Sequence, residues 1–179
     1  MLSFWQEDRM HLNLLVDHNM ADFMTHCDKF VAQISPNSDH LNIFLADLME
    51  EDVCSTMYSS QYPGRKVSPL SGKVSKVCAQ VREELIMQDS TEHKVDNLLP
   101  ILGTLVRDGG KLEEALVKIK NIQEAGLKLL VDSALRFLTY MVDVNALFDV
   151  ALGTYNFELV IMVAEKSQKD PKVSFVIYL

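Results

Sequence analysis

Hydrophobic residues recur at three- and four-residue spacing along nearly the whole chain, the period of amphipathic helices. Residues 4–16 set Phe4, Met10, Leu14 and Leu15 among polar positions. Asn19 is placed to cap a second helix bearing Phe23, Cys27, Phe30, Val31 and Ile34, which Pro36 stops. Asp39 reads as the cap of a third, with Leu41, Phe44, Leu45 and Leu48 on one face. After a connector, Ser71 or Gly72 opens a helix whose stripe is Val74, Val77, Cys78, Val81 and Leu85. Residues 92–107 follow with Val95, Leu98, Leu99, Leu102 and Leu105, and Pro100 is expected to bend or restart that helix.

Gly109 and Gly110 end it, and 111–124 is amphipathic through Leu112, Ala115, Leu116, Ile119 and Ile122. Beyond Gly126, residues 127–142 are apolar almost all round, a pattern that asks for partners on several sides. Asp143 is placed to cap a short helix ending at Gly153, and Thr154 to cap the next, with Phe157, Val160, Ile161 and Ala164 as its buried face. Asp170-Pro171 signals another helix stop or start, while 173–179 is uncharged and β-prone. The pattern predicts an all-α chain of eight to nine short helices in antiparallel pairs, an irregular helical solenoid without a clean repeat period. Its expected parts are N-terminal helices over 1–54, a Ser/Pro/Gly-rich connecting loop over 55–72, C-terminal helices over 73–172 and an atypical tail over 173–179.

Charge refines this picture. The net of -8 on 179 residues sits unevenly: -8 over 1–53, +5 over 54–82 and -5 over 83–179. The positive stretch carries Arg65, Lys66, Lys73, Lys76 and Arg82 and no acid. It is short and has no aromatic after Arg65, so it reads as a solvated basic loop rather than a phosphate-tracking stripe. No apolar run approaches the ~20 residues that span a bilayer. The N-terminus lacks a secretory pattern. Cys27, Cys54 and Cys78 are odd in number and widely spaced, as expected of free thiols in a reducing compartment.

Candidate chemistry is sparse. His11, His18, His26, His40 and His93 show no paired ligand spacing with one another or with cysteine. Cys27 and Cys78 fall on apolar stripes, where inert core cysteine belongs, and Cys54 follows an acid cluster that would raise its pKa. The acids Glu50, Glu51 and Asp52 read as the solvated end of a helix. The nine methionines, Met10, Met20, Met24 and Met49 among them, read as core filling. No phosphate-binding glycine loop, nucleophile elbow or zinc-protease motif is present. No catalytic, cofactor-binding or metal site, and no cofactor, is expected.

Three blocks carry a family resemblance. Residues 142–172 read VDVNALFDVALGTYNFELVIMVAEKSQKDPK, 12–19 read LNLLVDHN and 50–58 read EEDVCSTMY. Together they resemble, in order and spacing, the scaffold-subunit family of the Elongator complex, in the helical region that follows its propellers. The resemblance covers about 12–172 and rests on the helical pattern alone through 59–130. It implies a tetratricopeptide-like solenoid segment, without catalysis of its own, in an assembly that modifies the wobble uridine of certain tRNAs.

The partners it implies are other Elongator subunits in the cytoplasm, with the nucleus as a second compartment. No membrane, no tRNA contact by this segment and no counterpart of the family's dimerisation region are expected. The tail departs from the family pattern after Lys172, so a partial or alternatively processed product is expected. Two other readings stand beside this one: a stand-alone solenoid adaptor of another assembly such as a vesicle coat, and a tRNA-contacting module using Arg65, Lys66, Lys73 and Lys76.

Overall fold

The computed structural model describes residues 11–65, 72–89 and 97–166. Expectations for 1–10, 66–71, 90–96 and 167–179, the β-prone tail and His93 among them, lie outside the described residues. The described residues are helical without a strand, as the periodicity requires. The chain divides into two compact units, Met1–Asp108 and Gly109–Leu179.

The first unit holds α1 (Leu14–Asp17), α2 (Met20–Thr25), α3 (Cys27–Ile34), α4 (Ser38–Asp47), α5 (Lys73–Asp89) and α6 (Leu98–Arg107). Helix α6 packs against both α4 and α5, and α3 packs on α5. Their stripes meet in a core of Cys27, Val31, Leu41, Phe44, Leu45, Val77, Cys78, Val81, Leu85, Leu102 and Leu105, each at most 1% exposed. Phe30 stands edge-on to Phe44 at 4.8 Å and to Phe23 at 5.2 Å between ring centres.

Several local expectations change in this unit. The expected single helix over 19–35 is broken at His26, which leaves helical geometry at φ -112°. Thr25 Oγ1 donates to the Ala21 carbonyl at 2.8 Å and His26 Nδ1 lies 3.0 Å from the Asp22 carbonyl, so side chains compete for the helix's own acceptors. Asn19 caps α2 as expected, accepting the Asp22 N–H at 3.2 Å. Helix α4 begins at Ser38 after Asn37, so Asp39 sits in the first turn, where its charge suits the helix dipole. Pro100 is the third residue of α6, within the turn whose N–H groups have no helical partner, and it costs no hydrogen bond there. On α1 the buried positions are Val16 and Asp17, preceded by Leu12 and Asn13, whereas Leu14 and Leu15 are half-buried.

The second unit holds α7 (Leu112–Glu124), α8 (Lys128–Met141), α9 (Val144–Gly153) and α10 (Phe157–Lys166). Short turns fold α7 onto α8 and α9 onto α10, and the two hairpins pack through α7 on α9 and α8 on α10. Asp143 caps α9 as its position predicts, its Oδ1 accepting the Asn145 N–H at 2.8 Å and the Ala146 N–H at 3.2 Å. Thr154 does not cap α10. Its Oγ1 donates back to the Ala151 carbonyl at 2.6 Å, and Asn156 Oδ1 takes the Leu159 N–H at 3.2 Å instead.

With α10 started two residues later, its buried face becomes Leu159, Val160, Val163 and Ala164, leaving Phe157 and Ile161 exposed. Helix α8 buries one stripe, Val131, Ala134, Leu135 and Leu138. Leu129 and Tyr140 remain 88% and 87% exposed, so the all-round partners its composition asks for are not supplied within this unit. An Asp132–Arg136 pair at 2.8 Å on α8 extends to Lys166 of α10.

A buried polar cluster beneath the 48–65 loop

The chemistry of the first unit is concentrated where α1, the chain after α4 and the start of α5 meet. Lys73, the first residue of α5, is wholly buried in its side chain, as is Asp17. The Lys73 ammonium donates to Asp17 Oδ1 at 2.9 Å, to Asn13 Oδ1 at 3.3 Å and to the Glu51 carbonyl at 2.6 Å. A buried cation is tolerable only when paired and hydrogen-bonded, and this one has acceptors for all three donors. Asp17 Oδ2 also accepts the Val53 N–H at 2.9 Å. Asn13, one turn earlier on the same face, accepts the Met49 N–H at 2.9 Å and donates to the Asp47 carbonyl at 2.6 Å.

The acid triplet is the second half of the arrangement. Glu50 lies across the start of α5, accepting the N–H groups of Lys73 at 2.9 Å and Val74 at 3.3 Å, so a residue remote in sequence caps that helix. Asp52, 5% exposed, accepts the Cys54 N–H at 3.0 Å and pairs with Arg65 Nε at 2.8 Å. The same guanidinium donates to the carbonyls of Asp17 and His18, and Arg107 donates to the carbonyl of Leu48. The expectation that this triplet forms a solvated edge is therefore corrected. Glu50 and Asp52 are spent on backbone groups and an ion pair, and Glu51, although exposed, gives its carbonyl to Lys73.

The basic residues between 65 and 82 are drawn inward in the same way. Arg65 pairs with Asp52, Lys73 with Asp17, and Arg82 with Asp108 at 2.9 Å, with Ser75 also donating to Asp108. Lys76 is exposed, and Lys66 lies outside the described residues. The expected solvated basic loop is thus largely an internal set of counter-ions.

Each of the four described histidines has a partner of its own. His11 is 3.3 Å from Asp47, His18 Nδ1 is 3.0 Å from the Tyr62 hydroxyl, His26 is 3.3 Å from Asp22 and His40 is 3.4 Å from Asn37. Among the described residues no group of three His, Cys, Asp or Glu side chains is placed to hold a metal ion. Met20, Met24 and Met49 are half-buried, and Met57 and Met87 are exposed.

The three cysteines are buried free thiols. Burial, with the charges of Glu84 and Asp28, pushes the Cys27 thiol up to about 12. Burial, with Asp108 nearby, likewise pushes Cys78 up to about 12. Cys54 is raised, chiefly by burial, against the opposing charge of Arg65. A nucleophilic cysteine needs the reverse shift. The cluster's chemistry is cohesion: charges and amides hold a loop in one conformation.

The sequence reading missed Asn13 and Asp17. The available signal was two polar residues one turn apart inside the apolar run LNLLVD, which is a face, not an interruption.

Among known proteins, the family model described as ELP1 alpha-solenoid matches residues 1–179, the whole chain. The chain belongs to the ELP1 alpha-solenoid family. A Xenopus laevis protein carrying the elongator complex protein 1 name is 42% identical over 170 residues, covering 92% of this chain and 14% of that protein. The Drosophila melanogaster elongator complex protein 1 is 38% identical over 179 residues, 97% of this chain and 14% of its own. The Saccharomyces cerevisiae protein of that name is 28% identical over 187 residues, 92% of this chain and 13% of its own. The chain thus spans about one seventh of the length of these relatives. Two of the blocks that resemble the family, 12–19 and 50–58, are the two segments that converge on Lys73 in this ELP1 alpha-solenoid chain. The third supplies the Asp143 cap and the Thr154–Asn156 turn.

Proposed function

We propose that this chain is a non-catalytic scaffold segment of an Elongator-type assembly, contributing helix faces to its other subunits and so supporting tRNA wobble-uridine modification carried out elsewhere in that assembly. The observation that carries the reading is the family match over the whole chain. The buried cluster agrees with it, because its charged and amide groups are occupied in holding backbone, as a scaffold requires. The assembly acts in the cytoplasm, with the nucleus as a second compartment. Among the described residues no helix is long and apolar enough to cross a membrane. RNA contact is assigned to other parts of the parent protein, since Arg65 and Lys73 are committed to internal carboxylates. The test exchanges the matching region of the Saccharomyces cerevisiae relative for this chain and asks whether the chimaera assembles with the remaining Elongator subunits.

A further inference from the structure

We draw no further inference here: the strongest candidate, the exposed apolar surface of the second unit at Leu129 and Tyr140 on α8 and Tyr155 in the α9–α10 turn, carries nothing because nothing in the structure shows what covers it.

Discussion

Lys73 is the residue on which the first unit turns. A buried pair contributes little net stability as such, but stranding one partner is costly, about 3–5 kcal/mol, because an uncompensated charge is left in a dry site. Lys73→Met leaves the Asp17 carboxylate in that state, and loses the ammonium's bonds to Asn13 and Glu51. That cost is a large share of a total of roughly 5–15 kcal/mol, so the urea midpoint should fall steeply. Adding Asp17→Asn removes the charge while its side-chain oxygen still serves the Val53 N–H, and should restore part of the loss. Equal midpoints for Lys73→Met and the unsubstituted chain would contradict the geometry.

The thiols offer a second check at this scale. With Cys27 and Cys78 pushed up to about 12 from an ordinary value of 9.0, the folded state holds their protons where the unfolded state has released them. Their contribution to stability is therefore complete below pH 9 and is lost as pH rises from there toward 12. Native protein at pH 8 should be inert to a thiol reagent and release three reactive thiols on unfolding. Prompt labelling of the native chain would overturn the burial.

At the scale of the element, the hydrophobic period places the helices well and their ends less well. The stripe of α5 is buried as the pattern requires, and Asn19 and Asp143 cap the helices they precede. Thr154 and Asn156 are both acceptable cap residues two positions apart, and only the left-handed turn at Tyr155, φ 53°, decides between them. That choice shifts the buried face of α10 from Phe157 and Ile161 to Leu159 and Val163. The break at His26 follows from side-chain competition for carbonyls, which apolar spacing does not register.

The polar cluster was the least legible feature. Glu50 caps a helix that begins 23 residues later, a relation that exists only once the loop has folded back. The cap on α9 gives a direct test: Asp143→Ala should cost about 1 kcal/mol, seen as a lower urea midpoint, with Asp143→Asn recovering most of it. No difference between the two variants would show that the cap does not hold α9.

At the scale of the whole molecule, the chain is two helical units of one family, spanning about one seventh of the length of its relatives. Among the described residues the four most exposed large apolar side chains, Leu129, Tyr140, Tyr155 and Phe157, belong to the second unit, with Met57 and Met87 exposed in the first, while the charged groups at the heart of the first are turned inward. That division suits a part whose surface is used and whose interior chemistry is spent on shape. The sequence reading reached the family through short blocks whose packing it could not see, and the structure supplies the reason two of them belong together.

The central claim, that this is a scaffold segment of an Elongator-type assembly, is tested most directly in the chimaera that carries this chain in the Saccharomyces cerevisiae relative. The measurement is the level of wobble-uridine modification in its tRNA. The account expects modification retained with the chain in place and lost when it carries Lys73→Met. A chimaera that is stably produced yet restores neither subunit assembly nor modification would contradict it.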